Sequence, residues 1–293
     1  MQVINRSPLK FGNPGLEEKI FADVRNALQD VRTTEDGFVV NDTKWFWKNP
    51  KGQLTPTVVN EAKFLSGRFQ RALREFDWEI EFSASDQRID GYIQLQTETP
   101  RYSLPDENYL QFISEYAHLV RKHPGAVATT IYHSLCVRPS FSLDATMFDL
   151  QGLLASEEGV HTIRVGLEFE TGNIASSFRA LDKLNNLFLK NQIDVGVFIT
   201  SEDKQTCATR IWPQSNRNGS FEELENRQFR DNLAVPLWEI GFRPDRFDST
   251  APYLSSTGDV YLMQAQSDTI EVSGEIFKKH IGNDGKEIFC KLY

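Results

Sequence analysis

Two glutamates, Glu168 and Glu170, stand two residues apart in the run Ile163-Arg164-Val165-Gly166-Leu167-Glu168-Phe169-Glu170-Thr171-Gly172-Asn173. Apolar residues alternate along this run, which predicts an extended strand with Ile163, Val165, Leu167 and Phe169 on one face. Glu168 and Glu170 then share the opposite face, about 6.5 Å apart at the backbone. Two like charges so placed repel unless a cation or a proton lies between them. A hard dication such as Mg²⁺ takes carboxylate oxygens and keeps several waters. It can activate one of those waters and stabilise charge building on a phosphate under displacement. Such a site needs a further acid on a neighbouring strand, and Asp90, within Arg88-Ile89-Asp90-Gly91-Tyr92, is the candidate. Spacing alone leaves a second reading open, because an E-x-E pair on a strand is more often a solvated polar face.

The elements around the pair follow from periodicity. Leu16, Ile20, Val24, Ala27 and Val31 have helical spacing after the Asn13-Pro14-Gly15 turn. A second helix is predicted from about Thr57 to Phe76, with Ala62, Leu65, Phe69, Leu73 and Phe76 inward. Ile89, Gly91, Ile93 and Leu95 alternate with polar neighbours and predict a strand. Residues 106–122 read as a helix with Tyr109, Phe112, Ile113, Tyr116 and Val120 on one face. Ala126–Tyr132 and Ile193–Thr200 are β-branched runs suited to buried strands. Directly after the glutamates, Asn173 is placed to cap a helix lined by Ile174, Phe178, Leu181, Leu184 and Phe188. Thr269 to Tyr293 reads as strands. Strand, helix and strand in that order imply an α/β (α+β) architecture, a central mixed sheet flanked by helices. No linker divides the 293 residues, so one domain, 1–293, is expected.

Composition narrows the class. A hydrophobic fraction of 40% with 21 Phe suits a folded core. No apolar run approaches the roughly 20 residues of a membrane span. Met1 to Pro14 lacks a continuous apolar stretch behind its basic residues, so no secretory signal is expected. Cys136, Cys207 and Cys290 are far apart and read as reduced thiols of a cytoplasmic protein. A formal charge of −9 argues mildly against a nucleic-acid partner, although a basic cleft can coexist with an acidic body. His118, His133 and His161 show no metal-ligand clustering. Trp45 and Trp47 read as packing rather than as a stacking platform, and Arg121-Lys122-His123 as a solvated helix end.

The segment Val165 to Ser177, with Arg179 beyond it, resembles the active-site segment of BamHI-type type II restriction endonucleases. The likeness continues through Lys183-Leu184, Ile193-Asp194-Val195, Asn218 to Glu225 and Ile240-Gly241-Phe242. It is fainter but collinear from the second helix, through Arg74-Glu75, to Ile89-Asp90. The resemblance implies a restriction-endonuclease-like core of the PD-(D/E)XK class, with Glu in place of the usual Lys. It implies that Asp90 and Glu168 ligate Mg²⁺, that Glu170 accepts the proton of the attacking water or helps hold the metal, and that Glu75 is an accessory acid. It further implies sequence-specific cleavage of double-stranded DNA at a palindrome, leaving 5′-phosphates. The partners it implies are a second copy of the chain and a cognate DNA methyltransferase, in a bacterial cytoplasm.

By the same resemblance, Asn173, Ala175 and Arg179 at the start of the following helix face base edges in the major groove. Arg217 matches a guanine-reading arginine and Asp259 a base-contacting acid, while Lys183 is placed to touch phosphate. The family's acid beside that arginine is Asn216 here, and a serine of the recognition helix is Ala175. The family joins the strands of the first and second acids by a short loop, whereas this chain carries a long insertion at about 96–158. A competing assignment therefore makes Asp149, or Asp144, the first acid. Leu187 and Phe188 are candidates for a dimer interface or for the core. Two other functions stay open: a glycoside hydrolase built on a strand-borne carboxylate pair, which an all-β fold would favour, and a DNA-binding relative without cleavage.

Overall fold

The β-branched and aromatic run Val195–Ser201 becomes a strand buried at every position, and helices cover both of its faces. The computed structural model describes residues 1–7, 14–41, 43, 45–56, 62–98, 100–122, 151–171, 174–202, 219–255 and 257–292. Its elements in chain order are β1 (Gln2–Ser7), α1 (Pro14–Asp30), β2 (Val39–Val40), β3 (Trp45–Lys48), β4 (Leu54–Pro56), α2 (Ala62–Leu73), β5 (Glu79–Ala84), β6 (Gln87–Thr97), β7 (Arg101–Ser103) and α3 (Tyr109–Lys122). They continue as β8 (Ala155–Glu157), β9 (His161–Phe169), α4 (Ile174–Leu189), β10 (Val195–Ser201), α5 (Phe221–Glu225), β11 (Leu237–Arg243), β12 (Arg246–Phe247), β13 (Met263–Val272), β14 (Glu275–Gly282) and β15 (Glu287–Lys291).

The main sheet has the order β1-β11-β10-β9-β6-β5. Its centre, β9-β10-β11, is parallel, while β1, β6 and β5 are added antiparallel, so the sheet is mixed. The parallel step from β9 to β10 requires a crossover, and α4 supplies it. Helices α1 and α2 pack on one face through Leu28, Leu65, Phe69 and Leu73 against Ile163, Val165, Leu167 and Val197. On the other face α4 buries Leu181, Leu184, Leu187 and Phe188 with Phe198 and Phe221. This mixed sheet between helical layers is the expected fold class.

The regular alternation of strand faces breaks at one place. In the antiparallel pair β5–β6, Ile80 stands opposite Gly91 and Phe82 opposite Ile89. Between those rungs Glu81 has φ of 56°. Residues two apart on a regular strand share a face. Here Ile80 packs in the α1/α2 layer and Phe82 in the α4 layer. On β6, Ile89 packs in the α4 layer, whereas a Cβ added to Gly91 would press on Leu73 and Trp78 of the other layer. The facing of both strands thus inverts at Glu81 and Asp90.

A second, antiparallel sheet has the order β13-β14-β15-β3-β4. Trp45 stacks on Tyr253 and Phe46 meets the buried Phe277 edge-on, so the tryptophan-rich segment is packing material. The C-terminal strands expected from Thr269 onward are therefore present. One expectation needs correction, and one open alternative is decided for the core. Tyr109 is 42% exposed while Phe112 is fully buried, so the inward stripe of α3 begins later than its aromatic residues suggested. Leu187 and Phe188 are buried in the α4 layer and are unavailable to a dimer interface; the exposed apolar residue there is Leu189. The strand expected at 126–132 lies outside the described residues.

Candidate active site

Strand β9 ends where the chemistry begins. Phe169, its last residue, stacks against Phe69 of α2 and Phe242 of β11, which fixes the strand end on the α1/α2 face. Its neighbour Glu168 must then point into the other layer, where it is 3% exposed. Glu170, one residue beyond the strand, is held by its backbone. Its N–H donates to Ile199 O at 2.8 Å, and the Thr200 hydroxyl lies 3.0 Å from its carbonyl.

The β6–β9 ladder runs from Thr97 opposite His161 to Gly91 opposite Leu167. The next position along brings Asp90 beside Glu168. Both Asp90 oxygens are engaged: Oδ1 accepts from Gln70 Nε2 at 2.9 Å and Oδ2 from the Phe169 N–H at 2.9 Å. The inversion at Glu81 and Asp90 coincides with this turn of the carboxylate towards the end of β9, and backbone strain of that kind collects at functional sites.

Helix α4 supplies the remaining polar contacts. Ser176 donates its hydroxyl to Glu170 Oε1 at 3.2 Å. Lys183, two turns further along the same stripe, sets its ammonium against Glu168 Oε1. The ammonium also donates to Arg88 O at 3.0 Å. Glu168 Oε1 is buried with no hydrogen-bond donor aligned to it, so the ion pair is its compensation.

Burial is the largest influence on both acids. It raises the Asp90 carboxyl above the ordinary carboxylate range, against the Phe169 N–H, Lys183 and Gln70, which lower it. Burial followed by the Asp90 charge pushes Glu168 up to about 8, with Lys183 opposing. Glu168 is thereby poised to exchange a proton for a metal ion near neutral pH, and Asp90 is shifted in the same direction. Among the described residues no group of three or more His, Cys, Asp or Glu side chains is arranged to hold a metal. The donor set nonetheless fits Mg²⁺, which accepts one or two carboxylates plus waters. Asp90 and Glu168 are adjacent hard oxygen donors, and Oε1 of the latter lacks a neutral partner.

The other predicted residues fall into three groups. Ala175 and Arg179 are exposed on one side of the first turns of α4. Asp259 is exposed in a tight turn, where Thr257 Oγ1 donates to its Oδ2 at 2.7 Å. Glu75 is exposed on a 3-10 turn after α2, and the residue of that region that touches Asp90 is Gln70. Lys183 turns to the carboxylates. Asn173, Asn216, Arg217, Asp149 and Asp144 lie outside the described residues. Sequence reading missed Gln70 and Ser176. The helical period would have placed Ser176 and Lys183 on one stripe, but not against a particular strand.

The all-β architecture that would have favoured a glycoside hydrolase is absent, since α4 follows the acids directly. A family profile described as the restriction endonuclease BamHI matches residues 10–259 of this chain. The type II restriction enzyme BamHI of Bacillus amyloliquefaciens is 34% identical over 96 residues, which make up 33% of this chain and 42% of that relative. The chain thus spans about two fifths of the length of the curated relative it matches.

Proposed function

The chain belongs to the BamHI family of restriction endonucleases, and from that premise we propose that it is a type II restriction endonuclease. It hydrolyses double-stranded DNA at a palindromic site in a Mg²⁺-dependent reaction that leaves 5′-phosphates. The observation that carries this reading is the buried pair Asp90 and Glu168, brought together at the ends of adjacent strands beside Glu170. Asp90 and Glu168 hold the metal ion. Mg²⁺ bound there supplies Lewis-acid stabilisation of the phosphate and a more acidic water.

Glu170 takes the proton of the attacking water, and the Ser176 hydroxyl and the two backbone anchors aim its carboxylate. Gln70 and the Phe169 N–H keep the Asp90 oxygens fixed, so the metal-binding geometry exists before substrate arrives. Ala175 and Arg179, on the exposed side of α4, enter the major groove, and Asn173 reads bases with them. Asn216, Arg217 and Asp259 read further bases. A net charge of −9 requires these contacts to be local rather than a general basic field. Cutting both strands of a palindrome calls for two sites about a two-fold axis, hence a homodimer. A cognate methyltransferase protects the host DNA in the bacterial cytoplasm.

Incubation with plasmid DNA and Mg²⁺, followed by mapping of the ends, tests the proposal. Discrete fragments with 5′-phosphates are expected. Failure to cut under varied salt, pH and metal concentration would sink it.

A further inference from the structure

The reaction as proposed gives Lys183 no part, yet its ammonium is the one cation seen against the buried acids among the described contacts. We propose that Lys183 is a resident cation of the site, a positioning residue that holds Glu168 in place in the metal-free protein and withdraws when a divalent cation binds. The inference rests on the reading of Asp90 and Glu168 as the metal site.

Three observations support it. The ammonium stands against Glu168 Oε1, the buried oxygen with no aligned hydrogen-bond donor, which is where a cation is needed. It is tethered at the rim of the site by its hydrogen bond to Arg88 O, two residues before Asp90 on β6. Its side chain is 31% exposed, so a path to water is open without unfolding any element. When both are ionised, Asp90 and Glu168 carry two negative charges, and Lys183 offsets one of them. A dication on the same oxygens would face the ammonium at contact distance, and like charges so close repel. The ammonium must therefore retire along its exposed side. Ser176, on the same stripe of α4, bonds Glu170 by a neutral hydroxyl and meets no such conflict.

Magnesium binding to the DNA-free protein, followed by isothermal titration calorimetry, tests this without reference to cleavage. Lys183→Met removes the charge and keeps the stem, and should tighten Mg²⁺ binding about tenfold, a typical coupling between two competing ligands. Lys183→Arg retains the charge and should stay near the wild-type affinity. A metal-free melting temperature should fall in the Met variant and recover when Mg²⁺ is added. Equal Mg²⁺ affinity in the wild type and Lys183→Met, with Mg²⁺ bound by both, would overturn the inference and leave the proposed function standing. Should the Met variant not fold, weaker Mg²⁺ binding by Lys183→Gln than by wild type would overturn it equally. Absence of Mg²⁺ binding in every variant would remove the proposed function as well.

Discussion

The two sheets differ in the charge they bury. In the five-stranded sheet, charged residues lie in cross-strand pairs at the surface, such as Lys279 with Glu287 and Lys291 with Glu275. Pairs of that kind contribute little to stability and carry no information about function. The six-stranded sheet has exposed pairs as well, such as Arg88 with Glu81, but it also buries charges, each with a specific partner. Glu239 of β11, 2% exposed, is clasped by Arg230 and Arg6. Glu168 faces Lys183 and a second acid. Two buried glutamates thus differ in one respect: Glu239 is matched by cations, whereas Glu168 shares its surroundings with another carboxyl group. A surplus of buried negative charge, rather than burial alone, marks the candidate site. The family match also ends at residue 259, before β13 begins.

The comparison can be broken at its strongest point first. Glu168→Ala should lower plasmid cleavage about a thousandfold or more while specific DNA binding in a mobility-shift assay persists. Glu239→Gln should leave cleavage far less affected. Next in size are the cores. Leu184→Ala, in the layer beside the main sheet, should cost about 2–5 kcal/mol in urea unfolding. Ile276→Ala in β14, at a position 53% exposed, should stay within about 0.5 kcal/mol.

A third test uses pH. The Glu168 carboxyl is raised from 4.5 to about 8 in the fold, so the unfolded chain ionises first. Its contribution to stability is full below pH 4.5 and is lost as pH rises to about 8. Melting of the metal-free protein should show that decline, and Glu168→Gln should flatten it. Backbone strain gives the fourth test. Glu81 lies at φ 56°, so Glu81→Gly should be neutral or slightly stabilising, whereas Glu81→Val should be less stable than the glycine variant by about 1 kcal/mol or more. Smallest of all, Lys291→Ala should change stability by less than about 1 kcal/mol.

Period and alternation carried the parts of the fold whose packing is one-sided or complete. Ile163 to Phe169, Val195 to Ser201 and the Ile174–Phe188 stripe were legible because each buries a regular set of positions. The site was legible where chain order coincides with space: Glu168 and Glu170 through strand period, Asp90 through its place after the second helix. Gln70 and Ser176 were not legible, because their contacts depend on how two elements cross. The resemblance offers Lys183 as a phosphate contact, and nothing in its spacing from the acids shows that its ammonium lies against Glu168. The inversion at Glu81 and Asp90 has no signature in a sequence that otherwise alternates. Glu75 drew attention as an acid, although Gln70 makes the contact.

The unbroken ladder between β6 and β9 has one more consequence. Thr97 and His161, where the chain departs and returns, are about 23 Å along the strands from Asp90 and Glu168. The chain therefore leaves and re-enters this ladder at the end opposite the two carboxylates. Closing such an excursion grows dearer only slowly, by about 0.6 kcal/mol for each doubling of its length. The ladder thus keeps the two acids in register at one end while the cost of the excursion falls at the other.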